Sequence, residues 1–153
     1  PGLSGAVARV RQTGVPLLSL YQVWDAPTGK DGKHTVLLPI EMKKILQEAM
    51  IIDPEASMVF IEKVHSMPKQ GVASSFNFGQ GYGLWLGLIV GLGLPFEQVT
   101  PQRWQKDMGC LTKGDKNVSK AKAQQLFPQL KITHKVADAL LMAKWLSAQP
   151  ATH

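Results

Sequence analysis

Cysteine is nearly absent from this 153-residue chain, in which Cys110 is the single example. One thiol cannot form a disulfide framework or a cysteine-based zinc site, and the composition fits a reducing compartment. No local motif pairs Cys110 with a histidine to make a nucleophile. We therefore expect Cys110 to be a partly buried, small apolar residue.

Long hydrophobic segments are also absent. The longest apolar run covers residues 84–96, and Gly87, Gly91 and Gly93 interrupt it. This run is too short to span a bilayer, and no signal-peptide pattern opens the chain. The sequence therefore indicates neither a membrane protein nor a secreted one.

Acidic residues are the third shortage, with 11 Asp and Glu against 17 Lys and Arg. The formal net charge is +6 and the isoelectric point is about 9.6, which favours a polyanionic partner such as nucleic acid. Hydrophobic residues make up 44% of the chain, so we expect a single folded domain with a core.

Hydrophobic periodicity predicts an α/β fold. Helical spacing starts at Pro39 and stops before Asp53-Pro54, and Ser74 or Ser75 is the predicted N-cap of a long helix that ends near Val90. The order of elements predicts a mixed sheet flanked by helices, with an antiparallel start and a parallel continuation. In chain order we expect strands at 6–11 and 17–24, a loop at 25–33, a helix from 39, a strand at 58–64, a loop at 65–73, the long helix, a strand at 96–100, and helices at 101–109, 115–127 and 133–146.

Glu62 is the first candidate for chemistry. It lies in an apolar run, 58–64, that is typical of a central strand. An ionised carboxylate in such a strand is costly unless something pairs with it. The alternative is a carboxylate at the strand end that pairs with Lys63 at the surface.

His134 and Asp138 form the second candidate, at the head of an apolar helix. A spacing of four residues places both side chains on one helix face, with their Cβ atoms about 6 Å apart. This arrangement suits two ligands that converge on a metal ion or a water. The alternative is that Asp138 only stabilises the helix dipole and that His134 lies near a cap.

Several short motifs, in this order and at this spacing, resemble those of RuvC-like resolvases, in particular the phage and plastid branch with the monokaryotic chloroplast resolvases. The similarity extends over nearly the whole chain. The residues that carry it are Pro1-Gly2-Leu3-Ser4-Gly5-Ala6, Phe60-Ile61-Glu62-Lys63-Val64, Gly79-Gln80-Gly81-Tyr82-Gly83, Val99-Thr100-Pro101-Gln102 with Trp104, and the stretch 126–139.

The resemblance implies a ribonuclease-H-like fold and a homodimer that cuts Holliday junctions with two Mg²⁺ or Mn²⁺ ions per site. It assigns Glu62, Asp138 and His134 as metal ligands, with His134 binding the second metal or orienting the attacking water. Lys116 matches the family's active-site lysine, and Lys106 matches a second basic contact with the DNA backbone. The alternative for both lysines is an ordinary solvated side chain.

One departure concerns the first catalytic Asp of the family, which would lie immediately before Pro1. Its strand would be the first of the sheet, so we expect a natural protein that extends further at this end. A chain that truly lacked this strand and this ligand would be inactive.

The resemblance also implies contacts with DNA and with a second subunit. The loop after Glu62 would enter the junction, and the glycine-rich helix at about 75–91 would form the two-fold interface. The cellular setting would be a bacterial cytoplasm or nucleoid, a phage-infected cell, or a plastid. Candidate DNA contacts are His65, Met67, Lys69, Gln70, Phe76, Phe78, Lys106, Lys113, Lys116, Lys120 and Lys122, with core packing as the alternative for the two phenylalanines.

Three other functions stay open at this point. The first is a non-catalytic relative that binds junctions, which the missing acid favours. The second is a different ribonuclease-H-like nuclease, acting on RNA or flaps. The third is a strand-transfer domain of the transposase type, against which the lack of an additional DNA-binding domain argues.

Overall fold

The computed structural model describes residues 2–12, 19–50, 58–66 and 68–149. Predictions for Leu17, Leu18, Asp53-Pro54 and Met67 lie outside these ranges. The described elements, in chain order, are β1 (Ala6–Gln12), β2 (Ser19–Asp25), β3 (Thr28–Asp31), β4 (His34–Leu37), α1 (Pro39–Met50), β5 (Val59–Glu62), α2 (Val72–Gly91), β6 (Phe96–Val99), α3 (Pro101–Asp107), α4 (Lys116–Leu126) and α5 (His134–Ser147).

Two compact units make up the chain. The first comprises residues 1–5 and 26–101, and the second comprises residues 6–25 and 102–153. Antiparallel and parallel pairing both occur, as expected. Among the described strands, however, pairing is divided over three two-stranded sheets, β1–β2, β3–β4 and β5–β6.

In the first unit, β5 and β6 form a parallel pair that aligns Val59 with Phe96 and Glu62 with Val99. Helices α1 and α2 contact each other. Each of the two helices buries residues at a spacing of four, which are Met42 and Leu46 in α1 and Gly81, Trp85 and Ile89 in α2.

In the second unit, α5 packs against the β1–β2 pair and against α4. The Trp145 indole Nε1 donates a hydrogen bond to the Asp107 carboxylate at 2.7 Å, and the Arg103 guanidinium lies 5.3 Å from the centre of the same ring. These contacts hold the end of α3 against α5. The inner face of α5 is apolar, with Val136, Ala137, Leu140, Leu141, Met142, Ala143 and Trp145 buried.

Two local predictions are wrong. The segment 25–33 is not a loop throughout, because β3 and β4 form a hairpin in which Asp31 pairs with His34. Gly32 has a φ of 57° and occupies the first turn position, which favours a two-residue hairpin turn. Helix α2 is capped by Gly71 without a side-chain hydrogen bond, so neither Ser74 nor Ser75 is the cap.

Helix length and composition also bear on membrane insertion. Within the described ranges, no helix is both long enough and apolar enough to cross a bilayer.

Candidate active site and nucleic-acid interface

His134 and Asp138 occupy the first two turns of α5. His134 is the first helical residue and is exposed, whereas Asp138 is half-buried next to the buried Ala137. Thr133 precedes them as N-cap in an extended conformation, with φ −110° and ψ 167°. The two side chains therefore lie on one helix face, one exposed and one partly shielded from water.

The Asp138 carboxyl is electrostatically perturbed. Burial raises its pKa above the ordinary value, while a hydrogen bond from Ser119 and electrostatic interactions with Lys116 and His134 act in the opposite direction. The burial effect is the largest of these. A partly desolvated carboxylate with a lysine and a histidine beside it is typical of a functional site.

Lys116 is placed by the start of α4. The Asp115 carboxylate accepts a hydrogen bond from the Asn117 amide at 2.9 Å, and the Asp115 amide donates to the Thr112 hydroxyl at 3.1 Å. Gly114, with a φ of 101°, allows the turn into this cap. Lys116 thus becomes the first helical residue, with an exposed side chain that acts on Asp138.

Ser119 is a site residue that the sequence did not predict. It is only 6% exposed and is the buried polar residue among those described. Its hydroxyl interacts with Asp138 on one side and with Cys110 on the other. The available signal was the spacing of Ser119, Ala123 and Phe127, which form the buried edge of a lysine-rich helix.

Cys110 is more buried than expected, at 2% exposure. Burial raises its pKa, and the Ser119 hydrogen bond and nearby Lys122 only partly oppose this effect. The thiol therefore keeps its proton at neutral pH. This state fits a structural residue and not a nucleophile, as the sequence predicted.

Glu62 belongs to the first unit and is the last residue of β5, half-buried at the carboxyl end of a parallel strand. The ladder continues one step beyond it, since the Lys63 amide donates to the Val99 carbonyl at 2.7 Å. In open α/β sheets, ligands bind outside the carboxyl ends of the strands. Glu62 is thus in a suitable position for a site residue.

The loop after Glu62 presents polar groups to solvent. His65 and Lys69 are exposed, Gln70 is partly buried, and Lys69 has a φ of 67°. Met67 lies outside the described residues. In the helix that follows, Phe76 is 71% exposed, whereas the Phe78 ring lies against Gly2, 3.2 Å from where a Cβ would be.

The second group of candidate DNA contacts lies in the second unit. Lys106, Lys113 and Lys116 are exposed, and Lys120 and Lys122 are partly buried. Residues 102–153 contain nine basic and three acidic side chains, and 9 − 3 gives +6, whereas residues 1–101 contain eight of each. The entire positive excess therefore lies in the C-terminal third.

The donor set suits a hard divalent cation only in part. Among the residues that the structure describes, no three His, Cys, Asp or Glu side chains are grouped so as to hold a metal. Asp138 and His134 offer an oxygen and a nitrogen ligand, and the buried Thr133 Oγ1 beside them has no hydrogen-bond partner. Such ions keep several waters and need only one or two carboxylates, so these residues fit a hydrated Mg²⁺ or Mn²⁺.

Comparison with known proteins identifies the fold. Residues 1–153 match no protein-family model. Over 98 residues, the chain is 33% identical to the chloroplastic Holliday junction resolvase MOC1 of Chlamydomonas reinhardtii, and the match covers 60% of the chain but 11% of that relative. The structure of Thermus thermophilus RuvC superposes with a TM-score of 0.51 at 14% identity, over 93% of each chain. The chain has the RuvC fold.

The RuvC fold confirms the ribonuclease-H-like architecture predicted from the motifs. The MOC1 match likewise confirms the resemblance to the plastid branch of RuvC-like resolvases. The chain spans about a tenth of MOC1, 11% of its length, so the comparison concerns a part of that relative.

Proposed function

We propose that the RuvC-fold chain is a structure-selective DNA endonuclease that resolves Holliday junctions by paired, metal-dependent nicks in a homodimer. The observation that carries this proposal is the convergence of Lys116, His134 and Asp138 at the α4–α5 contact. A lysine beside a half-buried carboxylate suits the hydrolysis of a phosphodiester, because negative charge develops on the phosphate oxygens during the reaction. The similarity to MOC1 supports the same assignment.

Each side chain has a distinct role in the proposed mechanism. Asp138 would supply a carboxylate ligand, and His134 would supply an imidazole that binds an ion or orients the attacking water. Glu62 is proposed as a further carboxylate ligand. Lys116 stabilises the charge that develops on the scissile phosphate. Bound divalent ions would neutralise the phosphate and lower the pKa of water. An imidazole ligand also favours Mn²⁺ over Mg²⁺.

The resemblance to RuvC-like resolvases also implies one further acid ahead of Pro1. We propose that this acid completes the ligand set. A plastid or a bacterial or phage-infected cell is the proposed setting.

DNA binding is proposed to use both units. The C-terminal cations, which include Lys106, Lys113 and Lys116, would track the phosphate backbone. His65, Lys69, Gln70 and Phe76 would enter the junction, where an exposed aromatic ring can stack on an unpaired base.

Dimerisation is proposed to use an exposed face of α2. Gly79, Gly83, Gly87 and Gly91 recur every four residues on this face and are all exposed, and a Cβ at each would meet no atom within 4 Å. Glycine lowers helix stability, so its repeated occurrence here needs an explanation. Close approach of the backbone of a second copy would provide one. Val72 and Phe76 extend the same face.

The test is cleavage of a synthetic four-way junction with Mg²⁺ or Mn²⁺, compared with duplex, flap and RNA–DNA hybrid substrates. We expect symmetric nicks in the junction alone. Glu62→Gln and Asp138→Asn should abolish nicking and leave junction binding unchanged, since they remove charge and keep shape. A wild-type protein that binds junctions but never nicks them would instead indicate a non-catalytic relative.

His134 has its own test. His134→Ala should slow cleavage and shift the preference between Mg²⁺ and Mn²⁺, because the softer ligand is lost. Rates measured over a titration of each ion check this, and an unchanged ion preference would exclude His134 as a ligand.

A further inference from the structure

Ser119 lies in an unusual position for a serine. It is on the inner face of α4, which packs on α5, and it is 6% exposed. One turn further, the same face carries Ala123, which is fully buried. Alanine is the better helix former and has no hydroxyl to desolvate, so packing alone does not account for Ser119.

The neighbours of Ser119 define what its hydroxyl does. Its two side-chain partners are the Cys110 thiol and the Asp138 carboxylate. A hydroxyl has one proton to donate and two lone pairs with which to accept. The ionised carboxylate can only accept, so the Ser119 hydroxyl donates its proton to Asp138.

This chain of hydrogen bonds leads from the core to the candidate site. Cys110 is 2% exposed and lies at the inner end, and Asp138 is half-buried at the outer end. One carboxylate oxygen is thereby held from the protein side. This hydrogen bond restricts the rotamer of Asp138.

We propose that Ser119 is a positioning residue, which fixes the Asp138 carboxylate in the orientation that binds a divalent cation. This inference rests on the proposed function. Hydrogen-bond partners of carboxylate ligands typically change metal affinity by about 10- to 100-fold when they are removed. Ser119 reaches the cation only through Asp138 and is not itself a ligand.

The test measures Mn²⁺ affinity by calorimetry on the full protein without DNA, together with the thermal unfolding midpoint. Ser119→Ala should weaken Mn²⁺ binding by about 10- to 100-fold, and Ser119→Cys, which keeps the volume but is a poor donor, should weaken it similarly. Ser119→Thr keeps the hydroxyl and should restore affinity close to that of wild type.

Cys110→Ala is the matched control. It removes the other partner of Ser119 in the same buried region, so it should lower the unfolding midpoint but leave Mn²⁺ affinity unchanged. Ser119→Ala with wild-type Mn²⁺ affinity, or Cys110→Ala with an equal loss of affinity, would overturn the inference. A wild-type protein that binds no Mn²⁺ and nicks no junction would overturn the proposed function as well.

Discussion

At the scale of single residues, the candidate site contains a side chain that lowers folding stability and is proposed to be needed for function. Asp138 is desolvated in the folded chain, which raises its pKa. The charged carboxylate is therefore less favourable in the folded protein than in the unfolded one. Natural sites keep such residues when they are needed for function.

This leads to a prediction for the metal-free protein. Below the ordinary pKa of an Asp the carboxyl is protonated in both states and costs nothing, and the cost appears as pH rises through the raised folded-state pKa. Asp138→Asn should therefore raise the unfolding midpoint at neutral pH in EDTA, and the gain should vanish in acid. Thermal unfolding from acid to neutral pH checks this, with Glu48→Gln as an exposed control. A midpoint that falls at neutral pH would contradict it.

At the scale of elements, the start of α4 determines where Lys116 lies. The Asp115 cap holds the first turn, and loss of an N-cap side chain typically costs about 1 kcal/mol. Asp115→Ala should lower the free energy of unfolding by that amount and slow junction cleavage, because the first turn frays. Asp115→Ser keeps a capping oxygen and should behave like wild type. Equal cleavage by the alanine variant would show that Lys116 does not depend on the cap.

Helix α2 allows a prediction in which two measurements move in opposite directions. Gly87→Ala adds a methyl group to an open position, so helix propensity alone should stabilise the monomer by about 0.5–1 kcal/mol. On a closely packed two-fold interface, the same methyl should weaken the dimer. Unfolding by denaturant and sedimentation measure the two effects. Ser74→Ala, on the opposite helix face, should leave dimerisation unchanged. If Gly87→Ala does not weaken the dimer, the interface lies on another surface.

Elements were predictable where local signals decide them. The Asp115 cap, the glycine at 109 and the apolar spacing after Thr133 fixed α3, α4 and α5 to within a few residues. The β3–β4 hairpin was missed, although Asp31-Gly32 is a hairpin signal, because the segment is otherwise polar. The pairing of His134 with Asp138 followed from helix periodicity. The spacing of Ser119 with Ala123 and Phe127 indicates a buried helix face, but the contact of Ser119 with Asp138 depends on packing between α4 and α5, which spacing does not encode.

At the scale of the whole molecule, charge is distributed unevenly. The +6 excess lies in residues 102–153, and the first 101 residues are neutral. Such a field attracts a polyanion to one part of the chain. The uneven charge also orients an approaching polyanion, because the neutral residues 1–101 add little to the long-range attraction.

The salt dependence of junction binding provides the corresponding prediction. Each phosphate neutralised contributes about 0.9 to the slope of log affinity against log salt. Lys113→Gln should therefore reduce this slope by about one, because Lys113 is exposed in the basic region. Lys33→Gln, an exposed lysine in the neutral part, should leave the slope unchanged. Equal effects of the two changes would exclude localised binding.

Lys116 and Ser119 are three residues apart in helix α4 and are separated by about 4.5 Å along the helix axis. A tilt of α4 moves the Lys116 ammonium and the Ser119 hydroxyl together. The proposed contact with the phosphate and the orientation of the Asp138 carboxylate are therefore mechanically linked. In a deep mutational scan, the tolerances of these two positions should therefore rise and fall together. To change the proposed cleavage reaction by engineering, α4 should be replaced as a whole helix and not one residue at a time.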